Sequence, residues 1–208
     1  MLQNIIICLI IGYLCGCLST AYFIGKANHI DIRKYGSGNA GTTNAMRLLG
    51  VKAGLLTFLG DALKAFIPIL LITYVFFKQD PNVNLLALYT GLGVVVGHNF
   101  PFWLRFKGGK GIAATGGVIM AFDWRIGLAA FIVFVLSVVI TRYVSVGSLL
   151  ISLLFPIGVL IIYPGDIHML LVSVIFTVLA FIRHRTNIKR LMNGTENKLG
   201  QKVKVEEK

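Results

Sequence analysis

Apolar runs recur along the whole chain, with short polar segments between them. The runs are continuous and do not alternate, which fits helices and excludes a membrane barrel. They predict helical spans at about 2–25, 53–77, 84–104, 111–122, 126–141, 144–163 and 167–182. In lipid the backbone must satisfy its own hydrogen bonds, and a helix does so within one segment. The expected fold is all-α, a polytopic membrane helix bundle of about seven helices, some short. Residues 111–122 are short for a span. A half-helix, or a re-entrant pair with 126–141, is the alternative to a full crossing there. Residues 1–197 read as one membrane domain and 198–208 as a solvated, frayed tail.

Composition agrees with this pattern. The chain has 208 residues, 13% of them charged, against about 25% in soluble domains. Its mean hydropathy is +0.81. The net charge of +12 comes from loops between apolar runs, so cytoplasmic loop bias explains it and nucleic acid is not an expected partner. Lys26, Arg33, Lys34, Arg47 and Lys52 lie in one loop, and Arg105, Lys107 and Lys110 in another. Arg142 and the cations after residue 182 follow. Seven crossings put all of these on one side, with the N-terminus outside and the C-terminus in the cytoplasm.

Three polar islands fall on that side: 36–47 (GSGNAGTTNAMR), 105–115 (RFKGGKGIAAT) and 183–196 (RHRTNIKRLMNGTE). Gly36, Gly38 and Gly41 permit backbone shapes that expose successive N–H groups to an anion. Ser37, Asn39, Thr42, Thr43 and Asn44 add side-chain donors, and Arg47 offers a planar fork for phosphate or carboxylate. One such loop alone would read as a turn. The second island changes that reading, because Gly108, Gly109 and Gly111 flank Lys110 just before a helix, where anions are favoured. It is not a nucleotide-binding loop: Leu104 and Gly111 stand where that pattern needs Gly and Ser or Thr.

His98 and Pro101 lie toward the end of one span, and Pro101 should kink or loosen that helix near its end. His184 sits between Arg183 and Arg185, with Asn187 on the same helix face, and Glu196 can orient a basic neighbour. Asp61 and Lys64, three residues apart in the second span, should pair or line the polar site near the cytoplasmic face, since each charge at bilayer centre costs about 2.5–3.5 kcal/mol. Cys8, Cys15 and Cys17 crowd the first run as packing residues with no metal-ligand spacing. No nucleophile elbow, zinc motif or Cys–His dyad is present. No metal or cofactor is expected.

The segments GSGNAGTTN at 36–44, GHNFPFWLRFKGGKG at 97–111 and RHRTNIKRLMNGTE at 183–196 resemble, in order, the three motifs of the bacterial acyl-phosphate:glycerol-3-phosphate acyltransferases, the PlsY family. The resemblance implies an enzyme of the cell membrane that transfers a fatty acyl group from acyl phosphate to the 1-hydroxyl of glycerol 3-phosphate. The products would be lysophosphatidic acid and phosphate, made at a site facing the cytoplasm. It implies catalytic positions at Ser37, Arg47, Lys110, His184 and Asn187. It adds binding or shaping positions at Gly36, Gly38, Asn39, Thr43, Asn44, His98, Gly108, Gly109, Gly111 and Glu196. The partners are glycerol 3-phosphate, acyl phosphate and membrane lipid, and the expected working unit is the monomer. Thr42 replaces the first motif's alanine, and Ala114 takes the second motif's threonine position, with Thr115 following. No His-x-x-x-x-Asp pattern occurs. The competing class is a transporter or channel for a phosphorylated organic anion, against which stand the lack of an internal repeat and the gathering of polar islands at one face.

Overall fold

The computed structural model describes residues 1–201, which are helical with no strand among them. The helices are α1 Leu2–Gly16, α2 Thr20–Ala27, α3 Thr42–Leu49, α4 Val51–Leu71, α5 Val83–Asn99, α6 Ile112–Phe122, α7 Trp124–Thr141, α8 Val144–Ile162, α9 Ile167–Arg183 and α10 Arg185–Met192. A π-helical turn, Ile72–Phe76, prolongs α4, and a 3₁₀ turn, Phe102–Leu104, follows the break at Pro101. By length and composition five segments could cross a membrane: Leu2–Ala27, Val51–Phe76, Val83–Leu104, Trp124–Thr141 and Val144–Ile162. The pair α9 and α10, bent by 60°, makes up to 6, and α6 is a shorter apolar helix.

The first run was expected as one helix and is two. The chain breaks at 17–19, which frees carbonyls in an apolar environment where water cannot serve them. Distant side chains take that place. Trp103 Nε1 donates to the Cys17 carbonyl at 2.8 Å and Lys64 Nζ to the Leu18 carbonyl at 2.6 Å.

The most buried helix is α5, and it meets α1 through two glycine pairs with i, i+4 spacing. A Cβ on Gly12 or Gly16 would fall 2.0 or 2.1 Å from the carbonyl oxygens of Thr90 and Val94. On Gly93 or Gly97 it would fall 2.4 or 2.2 Å from those of Leu9 and Tyr13. Small residues on both sides let the two backbones touch, which is how membrane helices gain van der Waals energy. Behind this seam Leu88, Val118, Phe155 and Phe176 fill the core.

The two ends of the bundle differ in chemistry. At one end Asp123 caps α7, accepting from the Arg125 N–H at 2.9 Å and from the Tyr163 hydroxyl at 2.9 Å. Asp166 caps α9 through the Met169 N–H. The other end gathers all three polar islands. Helix α6, about 16 Å long at 1.5 Å per residue, leads from that end to the Asp123–Tyr163 end. The expected frayed tail is tied down in its described part. Leu199 N–H donates to the Arg142 carbonyl at 2.7 Å, and Arg142 Nη2 donates back to the Leu199 carbonyl at 3.0 Å. Residues 202–208 of that expected tail lie outside the described residues.

The seam gives a controlled test. Gly93→Ala should lose about 1–3 kcal/mol by overpacking. Gly116→Ala in α6, where a Cβ meets nothing within 4 Å, should gain up to about 1 kcal/mol of helix propensity. Thermal unfolding in detergent would measure both, and shifts of the same sign would contradict the close crossing.

Candidate active site

The first island is a loop that one side chain fastens. Asn44, buried at the start of α3, accepts the Ser37 N–H at 3.0 Å and donates to the carbonyls of Ile32 at 3.0 Å and Tyr35 at 3.2 Å. Gly36 has φ +58°, and a Cβ there would lie 2.5 Å from Asn44 Oδ1. The N–H groups of Gly38 and Gly41 are bonded within the loop to the Tyr35 and Asn39 carbonyls. The expected row of free N–H donors is therefore mostly spent on shaping the turn. What the loop offers outward is the exposed Ser37, with Asn39 and Thr43 half-buried beside it. Arg47, also half-buried, stands on the last turn of α3.

The second island folds back on α5. Gly108 N–H donates to the Asn99 carbonyl at 3.2 Å and Gly109 N–H to the His98 carbonyl at 3.1 Å. Those donors, too, are used internally. Arg183 holds the carbonyls of the same two glycines, at 3.1 Å from Nη2 to Gly108 and 2.7 Å from Nη2 to Gly109. The loop's unspent donors are those of the first turn of α6, which have no partner inside the helix. Gly111 caps that turn with φ +83°. Ala114 and Thr115 are both buried.

The third island completes the cluster at the bend between α9 and α10. His184 donates Nδ1–H to the Ala180 carbonyl at 2.8 Å, since a carbonyl can only accept. Its Nε2 therefore keeps a lone pair. Lys110 Nζ donates to Asn187 Oδ1. Asn187 Nδ2 donates to Glu196 Oε1 at 2.6 Å, Ser145 Oγ donates to the same oxygen at 3.0 Å, and Arg190 Nε pairs with Glu196 Oε2 at 2.6 Å. One carboxylate thus ties α8, α10 and, through Asn187, the second glycine loop.

Electrostatics follow from this crowding. Burial, with Arg190, Arg183 and Arg47 nearby, pushes Lys110 down to about 8 despite Glu196. Burial and the charge of Lys110 push His184 down to about 4, so it stays neutral. Burial works to raise Glu196, but hydrogen bonds from Arg190, Asn187 and Ser145 outweigh it and hold the carboxyl below its usual range. Burial lowers Arg47 as well, with Glu196 partly opposing. Four cations surround one carboxylate, and a phosphate would relieve their repulsion.

Beneath the loops lies a buried polar group inside the bundle. Asp61 and Lys64 pair at 2.9 Å, as expected, and His98 joins them with Nδ1 2.8 Å from Lys64 Nζ. Two side chains also stand out, Thr42, which the sequence offers as an outward donor, and Asn99, to which it assigns no role. Thr42 Oγ1 and both carboxamide atoms of Asn99 are buried with no hydrogen-bond partner among the described residues. Asn99 Oδ1 packs directly under Gly111. No pattern in the sequence marks Asn99 as buried and unpartnered. Between α1 and α4 an apolar groove is lined by Ile11, Cys15, Leu18, Leu63, Ile67 and Pro68, with Lys64 also among its walls.

Comparison with known proteins is consistent with this arrangement. The family model described as glycerol-3-phosphate acyltransferase matches residues 6–194. A glycerol-3-phosphate acyltransferase of Thermoanaerobacter sp. (strain X514) is 44% identical over 197 residues, covering 94% of this chain and 96% of its own. One from Shouchella clausii (strain KSM-K16) is 42% identical, covering 97% and 99%. The crystal structure of PlsY (YgiH), an integral membrane glycerol 3-phosphate acyltransferase, in its glycerol 3-phosphate form has a TM-score of 0.85 at 35% identity, covering 94% and 96%. The lysophosphatidic acid form gives 0.82 at 34%. Matched along nearly its whole length in sequence and fold, the chain belongs to the glycerol-3-phosphate acyltransferase family of integral membrane enzymes.

Proposed function

We propose that this acyltransferase takes its acyl group from acyl phosphate and delivers it to the 1-hydroxyl of glycerol 3-phosphate at the cytoplasmic face of the cell membrane. Acyl transfer to glycerol 3-phosphate, giving lysophosphatidic acid, is the family activity. The observation that carries the finer reading is the convergence of Lys110, Asn187 and Glu196 with Arg47, Arg183 and Arg190 at one end of the bundle. Both substrates bear phosphate, and a net positive, half-buried cluster suits two such groups.

In this reading Lys110 and the first turn of α6 hold the phosphate of the donor. Arg47, Ser37, His184 and Asn187 hold glycerol 3-phosphate, with Asn39 and Thr43 at the rim. Gly36, Gly38, Asn44, Gly108, Gly109 and Gly111 shape the loops. Among the binding or shaping positions, the negative charge of Glu196 suits it to orienting Asn187 and Arg190. The apolar groove beside Lys64 receives the acyl tail. The hydroxyl oxygen attacks the acyl carbonyl, a C–O bond forms, and the bond to phosphate breaks. The hydroxyl proton passes to an oxygen of the departing phosphate, while neutral His184 accepts a hydrogen bond at Nε2. The leaving group already activates the carbonyl, so positioning and charge stabilisation supply the rate. Residues 1–197 act as one domain with seven crossings, N-terminus outside. Helix α6 leading from one end of the bundle to the other supports that count. The monomer suffices, because a single chain brings all three islands together.

Three outcomes follow. Lys110→Ala and Arg47→Ala should each lower turnover about 10²–10³-fold, as expected for one charge-stabilising donor, while the protein still inserts. Near-normal rates in both would refute the clamp. Lys110, at about 8, is cationic below that pH and loses its charge above it. The pH profile of kcat/KM should therefore fall on the alkaline side of about 8, and in Lys110→Arg that limb should move up. An unchanged limb in the Arg variant would contradict the assignment. Purified enzyme should release phosphate from acyl phosphate only when glycerol 3-phosphate is present. A preference for acyl-CoA, or release without acceptor, would overturn the donor.

A further inference from the structure

We infer that Asp61 and Lys64 are positioning residues that fix His98 as its Nε2–H tautomer, presenting that N–H donor where the two glycine loops meet. This rests on the phosphate-site reading above and adds two residues to it.

Donor and acceptor bookkeeping supports the tautomer. A lysine ammonium has three N–H donors and no acceptor. Lys64 Nζ has three acceptors within reach: Asp61 Oδ1 at 2.9 Å, His98 Nδ1 at 2.8 Å and the Leu18 carbonyl at 2.6 Å. All three donors are thereby spent. Nδ1 facing a donor at 2.8 Å must supply a lone pair. Were it protonated, it would meet Lys64 donor to donor. Its only nearby anion among the described residues, Asp61 Oδ1 at 3.6 Å, is too far to accept that proton. The charge count agrees. Asp61 and Lys64 neutralise each other, and a third, unpaired charge at a site only 5% exposed would be costly. Neutral His98 with a free Nδ1 carries its hydrogen on Nε2. Thr20 Oγ1 donates to Asp61 Oδ1 at 3.1 Å and holds the carboxylate from α2.

The ring edge carrying Nε2 lies against the second loop. A Cβ on Gly109 would fall 2.1 Å from His98 Nε2 and 2.6 Å from the Ala40 carbonyl of the first loop. Glycine is required there because the imidazole edge and both loop backbones share one point. Gly109 N–H already holds the His98 carbonyl, so ring and loop move together. A charge pair inside the bundle thereby sets which hydrogen-bonding atom reaches the substrate phosphate.

The test combines spectroscopy with kinetics. In ¹⁵N-histidine-labelled enzyme, NMR should show His98, assigned by the signal lost in His98→Gln, protonated at Nε2 only. The double variant Asp61→Leu/Lys64→Met leaves no unpaired charge, and its His98 should become a tautomer mixture. KM for acyl phosphate should then rise about tenfold or more, the worth of one hydrogen bond to an anion, while kcat changes much less. His98→Gln, which keeps an N–H near the Nε2 position, should bind acyl phosphate close to normally, and His98→Asn should not. An Nδ1–H signal in the unmodified enzyme would overturn the inference, and so would equal impairment of the Gln and Asn variants. Failure of the phosphate-site reading would look different: Lys110→Ala would stay active with the His98 tautomer unchanged.

Discussion

The Glu196 carboxylate is the anion around which the site is arranged. Alone, Arg47, Lys110, Arg183 and Arg190 would push each other apart and pull their loops with them. Glu196 accepts from Ser145, Asn187 and Arg190, and through Asn187 it reaches Lys110. It offsets part of the charge and leaves the site net positive. The cations remain close, yet under-neutralised, which prepares them for phosphate. The Arg142–Leu199 clasp, three residues beyond Glu196, fixes the segment that carries this carboxylate.

A second constraint is the apolar surroundings. A break in a spanning helix exposes carbonyls that lipid cannot serve. The break between α1 and α2 is tolerated because Trp103 and Lys64 reach across to it. Lys64 in turn needs Asp61, and the pair draws in His98. One backbone irregularity, one ion pair and one imidazole thus form a continuous polar path below the glycine loops. The Gly12–Gly16 and Gly93–Gly97 seam holds α1 against α5, the two helices that frame this path.

Much of this was legible in the residues. The apolar runs are helices and Asp61 does pair with Lys64, while the helix before Pro101, expected to be kinked or loosened, ends outright at Asn99. The resemblance carried by the three islands agrees with the family found by comparison. Other features could not be read locally. The break at 17–19 lies within an unbroken apolar pattern, and its partners are 46 and 86 residues away. Gly108 and Gly109 lie just before a helix start, where anions are favoured, but the carbonyls of His98 and Asn99, left open at the end of α5, take their N–H groups. Nothing local in the sequence sets Asn99 apart, and only packing shows its carboxamide buried under Gly111.

The claim that Lys110, on the donor's phosphate, and Asn187, on glycerol 3-phosphate, hold each other in place is open to a double-mutant cycle. Calorimetry would measure glycerol 3-phosphate binding to the unmodified enzyme, Lys110→Ala, Asn187→Ala and the double variant. Because Lys110 is held by Asn187, which Glu196 holds in turn, the losses should be non-additive, with a coupling of about 1 kcal/mol or more. Losses that add to within about 0.3–0.5 kcal/mol, the range seen for independent sites, would contradict the shared anchoring.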